Sequence, residues 1–434
     1  MIEQVLERAR ARGASADALL RDQATLSLKF ESGRLKESAM SQEAGLNLRV
    51  FASGRVGTAG TTDLDAVDDV VARAFSSAAE GEELKADMPG RAPLPAVPTW
   101  DDAAAGLSVA DLATIGRALI EPLTREGWQV GASVDRITET LRFANTNGQV
   151  VEYRSTAVTF GAEVTRVAGD DVLMAYESGG AVGVPDEREL QRITRHIITK
   201  MERSEKIVEP PEGRLPVLFT PEGSSCIWMP VRMALSGKTV LQGVSPLGGR
   251  IGEQMFDASL TFGDEPTLAG RVASRPADDE GVPSRPLALI ERGVVCAFVY
   301  DLETAARAGT TSTGHGARST FGKPGISFTN TIIAQGSLDE AGLLREMRHG
   351  LIVDELIGVG QGNVIGGAFS HPVALAWRVD GGEITGRVKD AAIAGNAYEL
   401  LKGSIRAFGS EGRWLGGTRL VPPLLLQDVN VARR

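Results

Sequence analysis

Hydrophobic and polar residues alternate in short runs along this chain, and a glycine turn closes run after run. Leu26, Leu28 and Phe30 alternate with Ser27 and Lys29 ahead of Ser32-Gly33; Leu46, Leu48 and Val50 alternate with Asn47 and Arg49 ahead of Ser53-Gly54. A period of two puts alternate side chains on one face of an extended strand, so the pattern specifies half-buried sheet joined by tight turns. Asn147-Gly148 is a strong hairpin signal, because both central residues of a type I′ turn need positive φ. The 51 glycines and the 5% aromatic share suit a chain of many turns better than a helical bundle.

Strands are expected at 26–30, from 35, at 46–50, 56–59, 129–138, 141–144, 150–154, 158–167 and 172–177. In the second half they are expected at 215–220, 287–290 and 294–300, several between 351 and 386, and at 420–426 and 429–431. Helical spacing marks 2–13, 64–79 behind Asp63, 108–126 behind the Ser108/Asp111 pair, and 186–204. Further helices are expected at 221–235, opened by Pro221 and stopped by Gly237, at 338–349 and at 393–405. Pro89, Pro93, Pro95 and Pro98 make 86–106 an extended linker, and Pro210-Pro211 with Gly213 marks a domain boundary. The expectation is an α+β fold of two domains: 1–207, a sheet with helices, and 208–434, rich in strands and paired as a sandwich.

The net charge of −10 argues against a phosphate backbone as partner. No run approaches the length of apolar residues that a membrane span needs, and the first residues lack the pattern of a secretory signal. Two cysteines, Cys226 and Cys296, make no disulfide framework. These features together predict a cytoplasmic protein with no nucleic-acid or membrane partner.

A search for chemistry finds no complete catalytic set. The four histidines, His196, His315, His349 and His371, form no His-Glu-x-x-His pair. His196 and His349 fall on charged helices and read as solvated. His315 sits in the glycine-rich run 311–316, where a side chain can approach a ligand. No Gly-x-Ser-x-Gly elbow occurs, Cys226 has no nearby histidine, and the glycine-rich run 245–252 lacks the Gly-Lys-Ser/Thr of a phosphate loop. Asp278-Asp279-Glu280-Gly281 gathers three carboxylates before a glycine, either as a charged turn or as an anchor for backbone amides.

Several segments in order carry a resemblance. Asp278-Asp279-Glu280-Gly281, the hairpin at 289–295, Ser312-Thr313-Gly314-His315-Gly316, Phe328-Thr329-Asn330-Thr331, the runs at 350–358 and Ile393-Ala394-Gly395-Asn396 resemble the TldD/PmbA family. The run at 43–50 and Asn145 to Gly148 match that family's looser N-terminal pattern, so the resemblance covers roughly 20–430. In the family's catalytic branch a helix carries His-Glu-x-x-x-His and a cysteine follows later; two histidines and the cysteine hold zinc, and the glutamate serves as base to zinc-bound water. Aligned on Ala234-Leu235-Ser236-Gly237 and on 249–253, the histidine positions here are Trp228 and Met233, the glutamate position is Met229, and the cysteine position is Gly416. None of these residues can do that work, which matches the PmbA/TldE branch.

The resemblance therefore implies a two-domain fold of that family and no catalytic residue, metal ligand or cofactor in this chain, with zinc confined to a TldD-like partner. It implies a non-catalytic subunit of a metallopeptidase complex that cleaves unfolded or small peptides. The chain would help to enclose a chamber and hold an extended peptide on a sheet edge. Asp278, Asp279, Glu280, Gly281, Gly314, His315 and Gly316 are the candidate wall or interface loops. Two alternatives stay open: a homodimer that binds peptides alone, and a hydrolase built around His315.

Overall fold

The computed structural model describes residues 1–84 and 86–433. Strands and helices are numbered along the chain. Six antiparallel strands form the first sheet, in the order β3 (Arg55–Thr61), β2 (Arg34–Ala52), β1 (Ser15–Glu31), β4 (Trp128–Asn145), β5 (Val150–Ala168), β6 (Asp171–Ala181). Several strands are far longer than the alternation suggests. The pair β1–β2 runs from Ser15 opposite Phe51 to Glu31 opposite Arg34, with one register shift between Lys29 and Phe30. Residues 34–43 of β2 are exposed on both faces, so no hydrophobic period marks them, yet the backbone ladder continues. Residues 16–19 of β1 are buried on both faces, which also erases alternation. The expected strand pairs 129–138 with 141–144 and 150–154 with 158–167 are each one strand.

The two faces of this sheet have different jobs. Even-numbered residues of β1 (Ala16, Ala18, Leu26, Leu28, Phe30) pack under helices. Helices α1 (Ile2–Ala11) and α2 (Val67–Ala79) cover one end. The short α3 (Asp102–Ala105) is followed by α4 (Val109–Ile120), and with α5 (Glu187–Arg203) these cover the other end. Ser108 and Asp111 form the expected capping box on α4. Asp63 does not cap α2, which starts four residues later; its carboxylate instead accepts from Asp65 N in the preceding turn. Odd-numbered residues Asp17, Leu19 and Arg21 turn to the opposite face, toward segment 277–319.

In the second half, β15 (Gly350–Leu356), β8 (Gly213–Phe219), β22 (Leu424–Arg433), β18 (Ala391–Asn396) and β16 (Ala368–Asp380) pair in turn, and β16 pairs back onto β15. The pairings thus close into a ring. On it, β17 (Glu383–Val388), β7 (Ile207–Val208) and β19 (Ile405–Phe408) are appended. A second six-stranded sheet runs β11 (Val294–Val295), β10 (Leu287–Glu291), β9 (Phe262–Asp264), β14 (Thr331–Ile333), β21 (Arg419–Val421), β20 (Arg413–Leu415). The hairpin β12 (Gly316–Ala317) and β13 (Gly325–Ile326) stands apart.

Helices α6 (Ser225–Ala234), α7 (Gly237–Leu241), α8 (Leu302–Ala308), α9 (Glu340–Met347) and α10 (Ala397–Gly403) complete the half. The helix expected at 221–235 begins at Ser225, after a turn that holds Pro221, and tolerates Pro230 inside it. The helix expected at 393–405 is a strand followed by α10: Ile393 is buried in the β18 ladder, and Asn396 ends that strand by capping α10 through the amides of Tyr398 and Glu399. Of the strand expected at 294–300, only Val294–Val295 forms a strand, and Val299 makes an isolated bridge to Ser236. One buried cluster joins the halves: Ile193, Ile197 and Met201 of α5 pack with Leu218, Ile352, Trp377 and Leu425 of the ring.

Candidate functional site

Asp278, Asp279 and Glu280 are all buried, and their side chains face the odd-numbered side of β1. Arg49 Nη1 donates to Glu280 Oε1 at 2.5 Å, and Arg49 Nε donates to Asp17 Oδ2 at 3.0 Å. Asp17 Oδ1 also accepts from Arg318 Nη1 at 2.6 Å, and Asp279 Oδ2 accepts from Arg21 Nη2 at 3.2 Å. Asp278 takes the amides of Glu280, Val282 and Gly316. Gly281 has φ +79°, and a Cβ there would stand 2.3 Å from the Phe143 ring; a Cβ at Gly316 would stand 2.5 Å from Glu280 Oε2. These residues bolt the first sheet to the second half, and of them Asp279 also lines an open cavity of about 610 Å³ with Arg21, Glu139 and Arg318.

His315 is likewise enclosed, 1% exposed. Its Nε2 lies 3.1 Å from Asp264 Oδ2, and its Nδ1 lies 3.0 Å from the Thr313 carbonyl. Both ring nitrogens are engaged and no face is open to a substrate, which corrects the expectation of a ligand-approaching histidine beside Gly314. His349 is exposed beside Asp380, and His371 stacks on Phe369 at 6.2 Å. His196, expected to be solvated, instead stands 3.8 Å from the buried carboxylate of Glu177.

A more enclosed site lies elsewhere. A cavity of about 340 Å³ sits where β6, α5, α6 and the β14–β21–β20 edge meet. Helix α6 offers it Ser225, Trp228 and Arg232, which the helical repeat stacks on one face. Of the four positions aligned with the family's zinc motif, Trp228 and Gly416 line this cavity. Met229 lies one step round the helix, against Gly360, and Met233 is 39% exposed.

Beside Trp228 runs a chain of charges that sequence alone does not reveal. Arg413 Nη1 donates to Glu177 Oε1 at 2.7 Å and Arg413 Nη2 to Glu222 Oε2 at 2.5 Å; Lys200 pairs with Asp354 at 2.9 Å. Burial, helped by the charge of Glu177 and opposed by Arg413, pushes the Glu222 carboxyl up to about 7. Burial would raise Glu177 too, but His196, Arg413 and Lys200 outweigh it and hold that group well below the carboxylate range. Of the pair, Glu222 therefore holds its proton to higher pH than Glu177. The one hint in the sequence is that Arg232 interrupts the otherwise apolar run 226–235.

The zinc of the family's catalytic branch does not fit here. Indole donates but cannot ligate, a thioether is a poor zinc ligand, and a glycine has no side chain. Arg413 already occupies the two nearby carboxylates. Among the described residues no group of three or more His, Cys, Asp or Glu is placed to hold a metal ion.

Residues 212–433 match the family model described as the PmbA/TldA metallopeptidase C-terminal domain, and residues 16–78 match domain 1 of the same metallopeptidase. A metalloprotease of Methanothermobacter thermautotrophicus is 27% identical over 404 residues, 90% of this chain and 86% of that one. The metalloprotease PmbA homolog of Haemophilus influenzae is 24% identical over 92% of this chain and 88% of its own. The metalloprotease TldD homolog of the same organism is 31% identical, but over 36% of this chain and 32% of its own. The crystal structure of TldE from Thermococcus kodakarensis superposes with a TM-score of 0.90 at 22% identity, covering 99% of each chain. With its C-terminal half matched end to end and the α+β fold shared throughout, the chain belongs to the PmbA/TldD metallopeptidase family.

Proposed function

We propose that this chain is the non-catalytic, PmbA/TldE-type subunit of a metallopeptidase complex that cleaves unfolded or small peptides, with zinc held by a TldD-like partner. The observation that carries this reading is the filling of the motif positions. Trp228 and Gly416 stand at the cavity with an indole and a bare backbone where imidazole and thiolate would be needed, and Met229 and Met233 face other ways. The lengths of the matches support the same branch: the PmbA homolog of Haemophilus influenzae aligns along nearly the whole chain, the TldD homolog along about a third. That one organism has both kinds supports a pairing of unlike subunits. The chain's part would be to complete the peptide-holding enclosure, with edge strand β20 beside the cavity as a place for an extended peptide to add.

Co-expression with a TldD-like chain from the same genome, followed by size-exclusion chromatography, tests this. Co-elution, with faster cleavage of an unstructured peptide than by the partner alone, is the expected result. A stable homodimer that ignores the partner would contradict it and return the chain to a peptide binder acting alone.

A further inference from the structure

Four guanidiniums line the Trp228 cavity, those of Arg192, Arg232, Arg413 and Arg419, against two carboxylates, Glu177 and Glu222. This positive pocket lies in a chain of net charge −10. Arg413 is spent on the two carboxylates, and Arg192 is paired with Glu189 outside the pocket. Arg232 and Arg419 make no salt bridge and no side-chain hydrogen bond among the described residues; the Arg232 guanidinium lies over the Phe328 ring at 4.9 Å, and its Nε is buried and unsatisfied. The indole N–H of Trp228, 5% exposed, also lacks an acceptor. Buried donors without acceptors are costly, and two of them, Arg232 Nε and Trp228 Nε1, beside the unpaired guanidinium of Arg419 mark the place of a missing anion. Burial above all, and then the nearby charge of Arg419, lower the pKa of Arg232 against the pull of Asp264, and an anion between the two arginines would relieve their mutual repulsion.

Phe262, Ile333, Leu415 and Val421 give the lining an apolar part, with Trp414 stacked under Arg271 at 4.2 Å, and Tyr176, Ser178, Ser225 and Thr331 also line it. A hydrated inorganic ion would leave that surface unused. We propose that this cavity is a receptor for a carboxylate carried on an apolar body, the free C-terminus of a short peptide, with Arg232 and Arg419 gripping the carboxylate and Trp228 donating beside them. The choice of a peptide as the carrier rests on the peptidase reading above; the carboxylate site itself does not.

The test uses the full chain alone. N-acetyl-Leu-Phe as the free acid, its C-terminal amide and inorganic phosphate are titrated by calorimetry and by tryptophan fluorescence, since Trp228 and Trp414 line the cavity. Saturable binding of the acid, at least tenfold tighter than the amide, is expected. Arg419→Gln should remove that preference, and Trp228→Phe, which keeps an aromatic ring and loses the N–H, should weaken the acid severalfold. Equal binding of acid and amide, phosphate binding as tightly as the acid, or no binding at all would overturn the proposal. Because no partner is present, such a failure would leave the subunit reading intact, and failed co-elution would leave the carboxylate site intact.

Discussion

Arg49 on β2 and Glu280, 231 residues further along, meet at 2.5 Å with side chains 2% and 0% exposed. This contact, continued through Asp17 to Arg318, is a buried bolt between the first sheet and the second half. Removing one member leaves its partners charged in a dry site. Arg49→Ala should therefore cost about 3–5 kcal/mol, read from urea unfolding. Glu280→Gln combined with it should recover part of the loss, because one uncompensated charge disappears. A loss below about 1 kcal/mol would show the network to be solvated.

Gly281 is held by its surroundings as much as by its φ of +79°. Gly281→Ala drives a methyl into the Phe143 ring and should lower stability by about 1–3 kcal/mol. Phe143→Leu in the same chain should give back some of it. If Gly281→Ala alone is neutral, the contact is looser than 2.3 Å implies.

The pH dependence follows from Glu222. Its carboxyl, ordinarily at 4.5, is raised to about 7 in the fold. The folded state holds the extra proton between those values, so the stabilisation is present below 4.5 and is lost as pH rises through 7. Glu222→Gln stays neutral throughout. Its stability relative to the parent should rise by on the order of 1–3 kcal/mol between pH 5 and pH 8, measured by urea unfolding at each pH. Glu280, also pushed to about 7 by burial, keeps a residual slope in both proteins. A constant difference across that range would contradict the placement of Glu222.

Trp228 packs against Phe408 and Phe262 with ring centroids 6.4 Å apart in each pair. Trp228→Ala should cost about 3–5 kcal/mol, in line with deleting a large buried aromatic, while Met233→Ala, at the neighbouring motif position but exposed, should change stability by less than about 1 kcal/mol. Thermal unfolding of the two variants side by side checks that the motif positions no longer act as one site.

The alternation at Leu26 to Phe30 and the cap at Ser108 were legible because each is a local device. The full length of β2 was not, since residues 34–43 are held by backbone pairing alone and carry no burial signal. The motif positions at Trp228 and Gly416 could be placed by resemblance, and the structure brings that pair to one cavity. The Asp278–Gly281 and His315 loops stood out for their residue types, yet what decides their role is Arg49, Arg318 and Asp264, distant in sequence. The same holds for Glu177, Glu222 and Arg413: three ordinary charges become a coupled cluster when the fold buries them together.

Whether this chain carries zinc chemistry of its own is the decisive point, and elemental analysis of the purified protein with a parallel peptide-cleavage assay addresses it directly. The account predicts well under one zinc per chain and no chelator-sensitive cleavage. One tightly held zinc per chain, with cleavage lost on chelation and restored by metal, would contradict it.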